Sequence, residues 1–313
     1  MKIAVLDDYQ NSVKDLACFS ILQDHEVTVF TDTLTDIDLL VARLIEFDAL
    51  VLIRERTPIT EPLLARLPQL KLISQTGKVS NHIDVNLCQK YGVTVLEGSG
   101  SPVAPAELCW GLIMAASRHI PAYVSHFAQG HWQQSGALGL GRVLHGSTLG
   151  IWGFGKIGQR IAQYAKTFGM NVLVWGSDAS RALAQEQGFI AASSKEDFFQ
   201  TADVISLHLR LNGATKACVT AQDLAMTKAD VLIVNTSRAE LIESGALYQE
   251  MLANPSKQAA VDVFEIEPAT PENEPLLSLP NVLCTPHIGY VEKGSYELYF
   301  RLAFENVVAF YPS

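Results

Sequence analysis

The hexapeptide Gly153-Phe154-Gly155-Lys156-Ile157-Gly158 narrows the possible folds of this chain more than any other feature, because of what flanks it. Leu149-Gly150-Ile151-Trp152 before it reads as a strand, and Ile157 to Phe168 after it reads as an amphipathic helix. A glycine-rich hexapeptide alone marks only a tight turn. In strand, turn, helix order each glycine acquires its own physical role: the first permits the sharp turn, the second lets a pyrophosphate approach the backbone, and the third lets helix and strand pack closely. The phosphate charge then rests on unpaired N–H groups at the start of the helix. The segment is therefore expected to hold a dinucleotide.

The same strand and helix rhythm runs through most of the chain. Up to about residue 98, strands are predicted at 2–7, 27–30, 49–53, 70–75 and 93–96, joined by helix-length stretches such as Thr60–Leu67, where Thr60 can cap and Pro62 suits a first turn. A helix at 103–118 is apolar almost all round, and 121–147, with five glycines, three His and Trp132, has no clean period and reads as an arm or long loop. A second alternation places strands at 148–152, 171–175, 203–208, 231–235, 259–263 and 281–284, with helices at 157–168, 179–187, 195–200, 220–226 and 244–253. The final helix, 293–310, lies beyond the second sheet and is free to return to the first. The expected class is α/β with two parallel-sheet domains: 1–98 plus 291–313 as a discontinuous domain, and 99–290 as the inserted dinucleotide-binding domain.

Composition excludes several function classes. A charge of −10, with no basic run to offset it, argues against gripping nucleic acid or an anionic membrane. No apolar run approaches the roughly 20 residues of a membrane span. The chain opens on a strand pattern, Lys2 to Leu6, without the basic start and long apolar stretch of a signal peptide. Five scattered cysteines without a CxxC pair suggest neither a disulfide framework nor a metal site, and fit a reducing cytoplasm.

The cofactor's adenosine end is read from the next strand, Asn171–Trp175. An acid after it would take the ribose hydroxyls of NAD. Asp178 stands near the usual offset but past the strand end, after Gly176 and Ser177. That favours NAD; Gly176 leaves room for a 2′-phosphate that Arg181 could reach and Asp178 would repel, so NADP stays open.

Three further charges follow three strands, on the edge where ligands bind in an open parallel sheet. Val231–Asn235 leads to Arg238, Ala259–Phe264 to Glu267 with Glu265 closer still, and Val282–Pro286 to His287. Singly, each reads better as a surface charge, a cap or a turn histidine. Together beside a nicotinamide they supply what hydride transfer at a hydroxyl-bearing carbon needs: a bidentate cation for a carboxylate, an imidazole for the hydroxyl proton, and a carboxylate that fixes the imidazole tautomer.

The segments Val234–Arg238, Asp262–Pro268 and Thr285–Gly289, with the glycine loop, resemble the signatures of the D-isomer-specific 2-hydroxyacid dehydrogenases across essentially the whole chain. The resemblance implies Arg238 as carboxylate anchor, His287 as acid/base and Glu267 as its partner. It implies a flavodoxin-like substrate domain, an NAD(P)-binding Rossmann domain, an interdomain helix 103–118 and a homodimer formed partly through the arm 121–147. The cofactor set it implies is Gly153, Phe154, Gly155, Lys156, Ile157, Gly158, Ser177, Asp178, His208, Thr236, Asp262 and Gly289, with Asp262 at the nicotinamide amide. Thr76-Gly77-Lys78 resembles the loop that holds the substrate carboxylate, and Asn81–Asp84 the signature after it. Arg210 stands where the family usually has proline, and Gly176 where it has an acid.

Arg54-Glu55-Arg56-Thr57 resembles the segment of phosphoglycerate dehydrogenases that could meet a substrate phosphate; alternation puts Arg54 and Arg56 on one face without saying which. Phosphoglycerate, hydroxypyruvate and glyoxylate are the substrates the resemblance implies. A phosphoglycerate enzyme is expected here in minimal form, with nothing after the last helix to build a regulatory domain. The competing reading is a non-enzymatic NAD-sensing scaffold like the C-terminal-binding corepressors, which share the fold and the triad; a formate dehydrogenase is disfavoured by Glu at 267.

Overall fold

The computed structural model describes residues 1–311. Two compact units divide the chain, one made of Met1–Ser101 together with the residues from Val291 onward, the other of Pro102–Tyr290.

In the first unit, short aliphatic runs form β1 (Lys2–Val5), β2 (Glu26–Val29), β3 (Ala49–Ile53), β4 (Leu72–Thr76) and β5 (Thr94–Glu97). All pair in parallel in the order β2-β1-β3-β4-β5, the flavodoxin-like winding. Every residue of β3 and β4 is buried, as expected for central strands covered on both faces, whereas the edge strands are half exposed. The crossovers carry α1 (Ile37–Leu44), α2 (Glu61–Leu64) and α3 (Val85–Lys90); Asp36 caps α1 and Asp84 caps α3, each accepting two backbone N–H bonds. Thr60 does precede α2 and Pro62 lies in its first turn, but the Thr60 hydroxyl makes no capping bond. The β1–β2 link is not an α-helix; it consists of tight 3-10 turns at Val13–Asp15 and Ala17–Leu22. A long helix from the far end of the chain, Lys293–Phe310, packs on β4 in this unit; Phe300 and Phe304 are fully buried, and the Ser74 hydroxyl donates to the Ala303 carbonyl at 2.8 Å.

The second unit begins with α4 (Val103–Ser117), which packs on the sheet and on the glycine-loop helix, and α5 (Ile120–Ala128). The latter corrects the expectation of an irregular arm. Ile120, Val124 and Phe127 recur at helical spacing, but 48%, 63% and 62% of their surfaces are exposed, so the stripe serves no core within this unit and the downstream glycines obscure it. The sheet contains β6 (Thr148–Trp152), β7 (Asn171–Trp175), β8 (Ile190–Ala191), β9 (Val204–Leu207), β10 (Leu232–Asn235), β11 (Gln258–Val261) and β12 (Val282–Cys284). Its order is β12-β11-β10-β9-β6-β7-β8, all parallel, a doubly wound Rossmann sheet with one added strand. Helices α6 (Lys156–Thr167), α7 (Asp178–Glu186), α8 (Lys195–Thr201), α9 (Ala221–Ala225) and α10 (Ala246–Ala253) cross between strands, which makes the C-terminal helix α11 (Lys293–Phe310). The two-residue edge strand β8 was not expected, being too short to show alternation.

Register places the chemistry. Trp152, Leu207, Asn235, Val261 and Cys284 form one lateral row across five strands. The residues immediately after them, Gly153, His208, Thr236, Asp262 and Thr285, therefore leave the sheet side by side at its carboxyl edge. No helix among the described residues is long and apolar enough to cross a membrane.

Candidate active site

At the head of that row, Gly153 has φ +98°, and a Cβ there would stand 2.5 Å from the His208 carbonyl oxygen. A Cβ on Gly158 would overlap the Gly153 carbonyl oxygen. Of the three loop glycines, Gly155 alone is one where an added Cβ would meet nothing within 4 Å. That residue is the N-cap of α6, and no side chain caps the helix. Two glycines are thus consumed by the turn and the packing, while the third leaves bare backbone beside free N–H groups. This chain's residues fit a pyrophosphate cofactor. Phe154 is buried, and Lys156 is exposed.

At the adenosine end, a glycine and not an acid follows β7 directly. Gly176 follows β7 with φ +148°, Ser177 caps α7, and the Asp178 side chain is 95% exposed and paired with Arg181. The Arg181 guanidinium lies 4.8 Å from the centroid of the Trp175 ring.

His208 is part-buried, and its Nε2 shares a 2.8 Å hydrogen bond with the Ser206 hydroxyl, which also meets the Cys109 thiol at 3.3 Å. Burial pushes this imidazole down to about 4, so it is neutral at ordinary pH.

After β10, Asn235 latches the turn that carries Arg238. Its amide nitrogen donates to the Arg238 carbonyl at 2.9 Å, and its oxygen accepts from the Ser237 N–H at 3.1 Å. Ser237 in turn donates to the Leu207 carbonyl at 2.7 Å, and the Arg238 guanidinium donates to its neighbour's carbonyl at 2.5 Å. The pair sought among the acids is settled by geometry: Glu267 Oε2 lies 2.7 Å from His287 Nδ1, and Glu267 Oε1 accepts from the Phe264 N–H at 3.1 Å. Glu265, nearer the strand, is turned away to the Ser244 hydroxyl. With Nδ1 occupied, His287 Nε2 is the nitrogen left for proton transfer.

Asp262 was expected at the nicotinamide amide. Here its carboxylate takes the Thr285 hydroxyl at 2.6 Å and the Ile288 and Gly289 N–H groups at 2.9 Å each. It thereby pins both sides of His287, whose backbone sits at φ +51°. Burial pushes the Asp262 carboxyl up, against these bonds and the nearby His287. Gly289 enters the site through its N–H, and Thr236 through its place beside His208 in the row.

The remaining expected residues belong to the first unit. Arg54 has φ +52°; its N–H donates to Thr76 Oγ1 at 3.1 Å, and its carbonyl accepts from Gln75 Nε2 at 2.7 Å. Its guanidinium lies against Gly77 and 5.9 Å from the Tyr299 ring centroid. Arg56 points elsewhere, donating to the Asp7 carbonyl at 2.9 Å and stacking 4.3 Å above Tyr9. Lys78 pairs with Glu97 and is well exposed. His82 meets Gln75 Oε1 at 3.2 Å, and Asp84 is a helix cap.

Sequence reasoning missed the residues that hold these groups: Gln75, Asn235, Ser206, Asp7 and Tyr299. The first three are buried polar side chains within strands, a signal available in the sequence. Among the described residues, no group of three or more His, Cys, Asp or Glu stands as metal ligands would.

The family profile described as D-isomer specific 2-hydroxyacid dehydrogenase, NAD binding domain, matches residues 110–289. Hydroxypyruvate reductase of Thermotoga maritima is 34% identical, over 89% of this chain and 90% of that protein. D-3-phosphoglycerate dehydrogenase of Methanocaldococcus jannaschii is 35% identical over 80% of this chain, which spans about half the length of that relative, 47%. The crystal structure of a phosphoglycerate oxidoreductase from Vibrio cholerae superposes with a TM-score of 0.98 at 70% identity, covering 99% of this chain and 98% of that one.

Proposed function

Because this chain belongs to the D-isomer-specific 2-hydroxyacid dehydrogenase family, we propose that it interconverts a small 2-hydroxy acid and its 2-oxo acid with a nicotinamide dinucleotide. The observation that carries the reading is the 2.7 Å Glu267–His287 hydrogen bond, on the same sheet edge as the open backbone of Gly155. When bound, the nicotinamide supplies or accepts the hydride at C2. Arg238 holds the substrate carboxylate in its guanidinium fork and polarises the adjacent carbonyl. His287 gives the proton to the forming hydroxyl from Nε2 and takes it back in the reverse direction. Glu267 keeps the proton on Nδ1 and stabilises the imidazolium, and Asp262 fixes the loop from which His287 projects.

The relatives named above act on phosphoglycerate or hydroxypyruvate, and these, with glyoxylate, are the substrates to test first. Arg54, lying against Gly77 of the 76–78 loop, supports an anionic far end on the substrate; Arg56, committed to Asp7 and Tyr9, is read as structural. Each relative reported is named as an oxidoreductase, which favours an enzyme over an NAD-sensing scaffold. A homodimer is supported by the bare apolar arm, where Trp132, Leu140 and Val143 are 72%, 92% and 71% exposed. All five cysteines are free, in keeping with a reducing compartment.

The test is a reductase screen of 2-oxo acids with both reduced cofactors, repeated on His287→Ala and Arg238→Ala. His287→Ala is expected to lower kcat at least about 100-fold, the range that general acid/base catalysis covers. Arg238→Ala is expected to reduce kcat/KM for every carboxylate substrate. Near-normal turnover in His287→Ala overturns the assignment.

A further inference from the structure

The adenosine end of the cofactor site is where this chain departs from its own pattern, and the departure is consistent across several residues. The position that would carry an NAD-selecting carboxylate is Gly176. Its φ of +148° is backbone that an L side chain rarely adopts, so the conformation itself disfavours an acid there. A Cβ at Gly176 would stand 3.4 Å from Ser180 Cβ, 3.6 Å from Ser180 Oγ and 3.7 Å from the Gly153 nitrogen. The bare position thus faces a hydroxyl on one side and the first glycine of the pyrophosphate loop on the other. Ser177 Oγ lies 3.2 Å from Ser180 Oγ, which pairs the two hydroxyls in the first turn of α7. One turn along, the Arg181 guanidinium carbon lies over Trp175, the last residue of β7, 4.8 Å from the ring centroid. A cation–π contact of this kind holds the guanidinium beside the strand end before any ligand arrives.

The acid in the first turn of α7 is Asp178. Its side chain is 95% in water, and its partner is Arg181, 28% exposed. An exposed carboxylate pair of this sort has little net worth, whereas a phosphate offers Arg a doubly charged, bidentate partner. Exchange of Asp178 for phosphate on the Arg181 fork therefore runs downhill, with Asp178 turning into solvent.

We propose that the adenosine end is built for a 2′-phosphate, with Arg181 as its counter-ion and the Ser177 and Ser180 hydroxyls as its donors, so that the chain takes NADPH in preference to NADH. This rests on the dinucleotide reading given above and deepens it. The test is calorimetric titration of the full chain with adenosine 2′,5′-bisphosphate and, separately, adenosine 5′-monophosphate, repeated on Arg181→Ala, Arg181→Lys and Asp178→Asn. Kinetics with NADPH and NADH on the same proteins follow. The bisphosphate is expected to bind at least tenfold more tightly than the monophosphate. Arg181→Ala should erase that difference, Arg181→Lys should restore part of it, and Asp178→Asn should widen it. The ratio of kcat/KM for the two reduced cofactors should move in parallel. Equal or tighter binding of the monophosphate by the wild type overturns the proposal while leaving the dinucleotide site standing. Equal weakening of both nucleotides by Arg181→Ala also overturns it, because Arg181 would then only support Trp175. Failure of both nucleotides to bind overturns the dinucleotide site and this proposal with it.

Discussion

Two alanine substitutions three residues apart in the glycine loop are expected to have opposite effects. At Gly155 the backbone has φ −80° and ψ −165°, which alanine adopts freely, and the added methyl meets nothing within 4 Å. Gly155→Ala should leave the fold intact or raise its stability by about 0.4–1 kcal/mol, through lost freedom in the unfolded chain. The methyl, however, occupies the space through which a pyrophosphate reaches the N–H groups of α6. Hydrogen bonds to a charged group contribute about 1.5–3 kcal/mol each, and loss of one or two amounts to about 3 kcal/mol, or two orders of magnitude in cofactor affinity. Gly158→Ala meets a different obstacle. Its methyl would overlap the Gly153 carbonyl oxygen, a backbone atom that cannot rotate away. Overpacking of this kind costs about 1–3 kcal/mol, and a rigid backbone contact lies at the upper end. Better helix propensity returns about 1 kcal/mol. The net loss of about 2 kcal/mol corresponds to a Tm lower by roughly 4–8 °C for a unit of this size. Differential scanning calorimetry and titration of NADH fluorescence read the two effects separately. Wild-type affinity in Gly155→Ala, or a large stability loss there, would refute the division of roles.

Removal of the Asp262 carboxylate by Asp262→Ala leaves two backbone N–H groups and a hydroxyl without their acceptor, while relieving a buried charge. The expected result is a loss of about 2–4 kcal/mol with kcat falling further than the stability loss explains, because the His287 loop is freed; a variant with unchanged kcat would show that Asp262 does not position that loop. Acid should weaken the fold through His208. Its folded value of about 4 lies below the ordinary 6.5, so the stability tied to keeping it neutral is complete above pH 6.5 and is lost as pH falls towards 4. The full effect is at most about 3 kcal/mol, at about 1.4 kcal/mol per pH unit, and residual exposure of the ring trims it. Unfolding free energies of wild type and His208→Gln should converge over that range; parallel curves would remove the assignment.

Legibility of the sequence followed burial. Strands β3, β4, β6 and β10 are almost wholly buried, with both faces covered, and their positions match the expected ones to within two residues. The β1–β2 link and α5 were misread because their apolar residues do not advertise a buried face: the first is divided between short 3-10 turns, and the second shows its stripe to solvent. Within the site, the Arg238, Glu267 and His287 positions could be named from strand ends alone. The choice between Glu265 and Glu267 could not, since it depends on how the loop after β11 folds back to let position 267 reach Nδ1. Nor could alternation separate Arg54 from Arg56. A left-handed turn at Arg54 sends one guanidinium to Gly77 and leaves the other on Tyr9, and only backbone geometry distinguishes them.

The return of α11 to the first sheet also sets a timetable. On a ribosome, β1 to β5 emerge early, but the helix that buries Phe300 and Phe304 and receives the Ser74 hydroxyl on Ala303 emerges only after residues 102–290 have been made. At about 5–20 residues per second, that is a wait of roughly ten to forty seconds. Throughout it the face of β4 awaiting α11 is uncovered, while the intervening unit, contiguous in sequence, has everything it needs to fold. The half of the protein that is synthesised first is thus the half that is finished last, and nascent chains stalled before residue 293 are where chaperone dependence and aggregation should concentrate.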